Sequence, residues 1–183
     1  MGHKVFYLVF CLMVLGGCGE EQKKPAAKKV NETAAAFLAG TWQGDMEDWL
    51  IVIDANGHVT RARVPIGRVE MTPDKITKVP MKQGGQGVYK PGQWFVQYDP
   101  NTKEMMVEIN IKHFKARMGK NTVEGRSRDV FVGPVEPNGM LWTADWVSEP
   151  HYLASTDKQK KIALAVDPNE YYKGQVIFKK VRK

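Results

Sequence analysis

The residue best placed for covalent chemistry in this 183-residue chain is a cysteine near its start. Cys18 follows Leu15, Gly16 and Gly17, at the exit of an unbroken apolar run from Val5 to Leu15. A thiolate is the nucleophile that thioether formation needs, and the two glycines leave the backbone before it open to a processing enzyme. The other candidates are weaker in type or spacing. Asp45, Glu47 and Asp48 gather three carboxylates within four residues, but the Asp-x-Asp-x-Asp-Gly order of a calcium loop is missing. His58, His113 and His151 stand apart, with no spacing that would bring two of them onto one metal. Ser127, Ser148 and Ser155 are the only serines, and no Gly-x-Ser-x-Gly elbow surrounds any of them. Gly84-Gly85-Gln86-Gly87 is glycine-rich, but no helix follows to supply the dipole that cradles phosphate. These patterns point away from an enzyme, and neither a metal nor a cofactor is expected.

The segment in front of Cys18 explains why that cysteine matters. Residues 1–17 have a short polar start with Lys4, an apolar stretch and a small-residue exit, the three parts of a secretory signal. The apolar stretch is shorter than the ~20 residues that cross a hydrocarbon core. Leu15-Gly16-Gly17-Cys18 resembles the lipobox of bacterial lipoproteins: an aliphatic residue, two small residues and the cysteine. That resemblance implies that the Cys18 thiol receives a diacylglyceryl group, that the chain is cut before it, and that the new amine is acylated. One acyl chain holds a protein only marginally, whereas two or three anchor it stably. The membrane is therefore an expected partner and the bacterial envelope the expected location. Gly19 stands where inner-membrane lipoproteins carry an aspartate, so the outer membrane is favoured.

Composition then narrows the field. Cys11 leaves with the signal and Cys18 is taken by lipid, so the mature chain enters an oxidising compartment without a free thiol. Disulfides, thiolate metal sites and cysteine catalysis are excluded together, and about 145 residues must hold their fold by burial alone. The formal net charge of +7 suggests a nucleic-acid or membrane surface until it is located. Without Lys4 it is +6, of which Lys179, Lys180, Arg182 and Lys183 contribute +4 and Gly19 to Ala36 another +1. The body is nearly neutral, which argues against nucleic acid. The basic tail, with Lys158, Lys160 and Lys161, either faces anionic lipid or polysaccharide or is simply solvated.

The elements that must carry these residues are strands. Residues 18–36 are polar after the lipidated cysteine and read as a tether with a root-mean-square span of roughly 23 Å. Residues 37–183 read as one domain in which Gly and Pro punctuate short alternating runs. Val107, Ile109 and Ile111 alternate with polar residues and pair back to Trp94–Tyr98 across the turn Asp99-Pro100-Asn101-Thr102. On that face His113 continues the apolar row. A second hairpin runs from Trp49 to Val64, turned at Asn56-Gly57. Further strands are expected at Val88-Tyr89, Arg126–Val132, Leu141–Val147 and Gln175–Val181, with one ambiguous helix over Ser155–Val166. Six to nine antiparallel strands give an all-β fold, a small barrel or sandwich with at most one or two short helices. The barrel is favoured because it removes the edges that a disulfide-free secreted sheet would expose.

Gly40-Thr41-Trp42 opens the first strand and resembles the Gly-x-Trp motif of lipocalins and related calycin barrels. That resemblance implies an eight-stranded cup with Trp42 plugging the closed end under a basic residue of the last strand: Lys179, Lys180 or Arg182. It also implies one small apolar or amphipathic ligand. Trp142 and Trp146 share one strand face, and Trp94, Val96 and Tyr98 share another. The two faces would line a ligand or glycan pocket, or else form a solid core. The first case describes a lipid-anchored, ligand-binding barrel. The second describes an envelope module that meets another protein or a polysaccharide through its surface.

Overall fold

In the computed structural model the described residues are 32–81, 85–118, 121–156, 159–162 and 172–181. A short helix, α1 (Glu32–Leu38), leads into β1 (Gly40–Gly44), β2 (Leu50–Ile53), β3 (Val59–Val64), a 3-10 turn at Ile66–Arg68 and β4 (Val69–Met71). There follow β5 (Thr77–Pro80), β6 (Gln86–Pro91), β7 (Phe95–Asp99), β8 (Glu104–Met118) and β9 (Asn121–Pro134). The described chain closes with β10 (Leu141–Thr156), β11 (Gln159–Ile162) and β12 (Tyr172–Val181). All pairings are antiparallel, and ten strands form one hydrogen-bonded row, β4-β3-β2-β1-β12-β10-β9-β8-β6-β5. The fold is an all-β, nearly closed ten-stranded barrel.

The row exceeds the eight strands implied by the lipocalin resemblance and the six to nine read from the sequence. β4 has three residues and β5 has four, ending in a proline, so neither carries enough alternation to register as a strand. These two edges are not hydrogen-bonded to one another in the row. The 3-10 turn packs across instead. Gly67 has φ +75°, and a Cβ there would lie 2.3 Å from the Tyr89 hydroxyl of β6. Only glycine satisfies both the left-handed backbone and that approach.

Local chemistry sets the turns. Asp54 Oδ1 accepts from the backbone amides of Asn56 and His58, both at 2.9 Å, and Gly57 takes φ +80°. Asp99 Oδ1 likewise accepts from the Asn101 amide at 2.8 Å, closing the β7–β8 turn. Pro91 lacks an amide donor, and the ladder between β6 and β8 shifts there. Beyond the break β7 continues beside β8, held where Trp94 Nε1 donates to the Asn110 carbonyl at 3.0 Å.

Three expectations are corrected. The stretch Ser155–Val166 is not a helix where it is described: residues to Thr156 continue β10, and Gln159–Ile162 pair back on it as β11. An ambiguous period of polar and apolar residues yields to the backbone ladder that the end of β10 offers. Residues 32–36, read above as part of a tether, belong to the folded domain, because α1 starts at Glu32 and buries Ala34 and Ala35. Alanine has no side-chain entropy to lose, so a sequence poor in large apolar residues can still dock as a helix. His113 does not continue the apolar row. The register of β8 against β9 shifts between Ile111 and Phe114, so Phe114 takes the buried position. His113 Nε2 meets Glu124 Oε1 at 3.0 Å instead.

Candidate functional site

The barrel interior is built from the inward halves of alternating strands, and its two ends differ. At the closed end α1 lies under β1 and β12. Trp42 Nε1 donates to the Leu38 carbonyl at 2.9 Å, giving a fully buried indole its polar partner. Lys180 lies 4.8 Å from the Trp42 ring centroid and donates to the Phe37 carbonyl at 2.6 Å. Burial pushes the Lys180 amine below its ordinary pKa. Of the three basic residues that the closing motif implies, Lys180 takes the place over Trp42. Arg182 lies outside the described residues, as does Cys18.

The seal yields a test. Lys180→Met keeps the stem and removes the charge, so it should lose about 1–2 kcal/mol from the cation–π contact and the charge-assisted hydrogen bond. Urea denaturation of the two proteins checks this, and unchanged stability would mean that the seal rests on Trp42 packing alone.

Above the seal the interior is solid. Trp142, fully buried, stacks on Phe178 at 4.7 Å and meets Trp42 edge-on at 6.2 Å. Phe131 packs against Phe178 at 5.3 Å and against Trp49 at 4.9 Å. Trp142 Nε1 donates to the Gly133 carbonyl at 3.1 Å.

The four aromatic residues singled out as ligand candidates do not converge on one pocket. Trp142 is core, and Trp146 shares its face one layer further along β10, stacked on Phe131 at 6.2 Å. Trp94 is 8 % exposed and is held by Asn110. Tyr98 turns toward the closed end, 6.0 Å from Phe37, beside an outer groove of about 420 Å³ shared with Gln97, Glu104 and Met106.

Farther from the seal the inward register of β9, β10 and β12 changes character. Ser127 and Asp129 on β9 and Ser148 on β10 are buried polar residues in a row otherwise filled by Val123, Phe131 and Ala144. Asp129 is paired directly with Ser148 in the ladder. Its Oδ1 accepts from Trp146 Nε1 at 3.1 Å, its Oδ2 accepts from Ser127 Oγ at 3.5 Å, and the Ser148 hydroxyl bonds it as well. Burial pushes the carboxyl up to about 6, although those three hydrogen bonds favour the charged form; nearby Glu149 adds to the rise. Among the described residues no cation pairs with it. The neighbouring Arg128 sits on the outer register, bound to Glu108 at 2.9 Å and Glu149 at 3.0 Å.

Trp146 is partly exposed although its register points inward. Its partner across the ladder is Gly174, which brings no side chain, and Tyr172, next on that register, is 54 % exposed. At this level the inward register is therefore partly open to solvent at Trp146 and Tyr172, while Ser127, Asp129 and Ser148 stay buried. Trp49 touches Trp146 edge-on at 6.2 Å, and its buried Nε1 has no hydrogen-bond partner among the described residues.

Sequence reasoning named Ser127 and Ser148 only as unsuited to nucleophilic catalysis, and passed over Asp129 and Trp49 as site residues. A signal for Asp129 was present. In Arg126-Ser127-Arg128-Asp129-Val130-Phe131, a period of two that sends Phe131 inward and the arginines outward must also send Asp129 inward.

The carboxylates Asp45, Glu47 and Asp48 do not assemble as a site. Asp45 Oδ1 accepts from the Ile177 amide at 2.9 Å, and Asp48 pairs with Arg68 at 2.9 Å. Among the described residues no three His, Cys, Asp or Glu side chains are grouped to hold a metal, and no helix is long and apolar enough to cross a membrane. Comparison with protein-family models, curated proteins and solved structures finds no match, so the site is read from its own residues.

Proposed function

We propose that this chain is a lipid-anchored bacterial envelope lipoprotein whose barrel binds a small amphipathic ligand without catalysing its conversion. The observation that carries the ligand reading is the division of the interior. Aromatic packing fills it between Trp42 and Phe131, whereas beyond Phe131 the inward-facing Trp146 is partly exposed opposite Gly174. An apolar wall with a few convergent polar groups is the usual make-up of a small-molecule site. The test is native mass spectrometry of the full chain purified from its own host. A small molecule that travels with the protein supports the reading. A bare protein mass, together with no response of tryptophan fluorescence to added amphiphiles, would overturn it.

The anchor rests on Leu15-Gly16-Gly17-Cys18 and on the outer-membrane preference read from Gly19. Cys18→Ser should move the protein from the membrane fraction to the soluble fraction and remove the acyl mass. Membrane retention with no mass change would refute lipidation.

A second reading is supported by Ile177 and Val181, apolar residues 37 % and 47 % exposed on the outer register of β12. In that reading the barrel wall meets an envelope protein or a polysaccharide, and nucleic acid is not a partner. Crosslinking in intact cells that recovers one reproducible partner through β12 would favour it.

A further inference from the structure

We infer that the ligand of this barrel is an organic cation, an ammonium-bearing molecule with a compact apolar body, whose charge is met by Asp129 and whose body lies against Trp146. The inference rests on the ligand reading above and adds the chemical class.

A carboxylate held inside a protein needs either a proton or a counter-charge. Asp129, 4 % exposed, has three neutral donors around it, Trp146 Nε1 and the hydroxyls of Ser127 and Ser148, and no cation among the described residues. The guanidinium next to it in the chain, Arg128, is on the opposite face of β9 and committed to Glu108 and Glu149. Neutral donors orient a carboxylate without cancelling its charge.

The surroundings fit a cation rather than a neutral hydroxyl. Trp146 presents an indole at the partly open level of the interior, backed by Trp49 at 6.2 Å. An ammonium group is attracted both to an indole face and to a carboxylate, whereas an anion is repelled by each. Gly174 leaves room beside Trp146, where its added Cβ would meet only the edge of that ring, at 3.5 Å.

The experiment keeps one body and varies the head. Benzylammonium, benzyl alcohol and benzoate are titrated into the full chain in a nonionic detergent, following tryptophan fluorescence, with wild type and Asp129→Asn side by side. Micelle partitioning is common to both proteins and cancels. Benzylammonium should bind at least about tenfold more tightly than benzyl alcohol, with benzoate weakest, and Asp129→Asn should abolish that order. Asp129→Ser serves the same purpose if the amide variant does not fold. Equal binding of the three probes, or a preference unchanged by either substitution, overturns the cationic assignment and leaves a ligand-binding barrel standing. No binding by any probe overturns both.

Discussion

Replacing Trp142 by alanine should destabilise the barrel by about 3–5 kcal/mol, the range for deleting a large aromatic from a packed core. Three effects act together. The indole is fully buried, so its transfer out of water is lost. Its ring touches Trp42, Phe131 and Phe178, three of the largest residues in the interior, and none can move into the space without leaving its own neighbours. Its Nε1 is also the donor to the Gly133 carbonyl. Domains of this kind hold about 5–15 kcal/mol in total, so one substitution removes a large share. Trp146→Ala, one layer along the same strand face, should cost less, because that ring is already partly exposed. Urea denaturation of both variants checks the order. Equal losses would mean that the interior is packed to the same degree at both levels, and would remove the main support for an accessible site.

Asp129 should make the protein less stable as the pH rises from about 4 to about 6. The sign follows from proton linkage. The folded carboxyl titrates at about 6, against 3.8 for the ordinary side chain, so between these values the unfolded chain has released a proton that the folded chain still holds. Stability from this group is complete below about pH 4, falls through the window and levels off above about 6. The full difference is on the order of 3 kcal/mol. Asp129→Asn cannot ionise, yet its amide oxygen can still accept from Trp146 and its amide group can donate to a serine hydroxyl. The variant should therefore gain on wild type by roughly that amount between pH 4 and pH 7.5. Asp54 and Glu124 have pKa values held below the ordinary range by hydrogen bonds, and they pull the absolute profile the other way. They are common to both proteins and drop out of the difference. A difference that stays flat with pH would mean that Asp129 is ionised throughout and solvated better than its burial suggests. A bound organic cation should erase the wild-type decline, which links this profile to the probe titration.

The strands that could be read directly were those whose order is local. In β8, Val107, Ile109 and Ile111 alternate with polar residues, and in the Trp49–Val64 hairpin Asn56-Gly57 supplies the turn within a four-residue window. Gly40-Thr41-Trp42 left Lys179, Lys180 and Arg182 open as residues over Trp42, and it is the pairing of β1 with β12 that puts Lys180 there. The failures share a cause. His113 left its row because a bulge in β8 is set by the pairing with β9, not by residues beside the histidine. β4 and β5 are too short to announce themselves and exist because a neighbouring edge is waiting for them.

What the sequence alone determined is the chemistry available: two cysteines, both within the first 18 residues, a nearly neutral body and a period of two along most of its length. These depend only on residue identity and on neighbours a few positions away. Tertiary structure decided which aromatic residues became core and which bordered open space. Trp142 and Trp146 are four residues apart on one face, yet one meets Phe178 and the other meets Gly174 across the same ladder. It also decided the state of Asp129, because a carboxyl's pKa reflects the water and charges around it, and those depend on burial inside the barrel and on the pairing of β9 with β10.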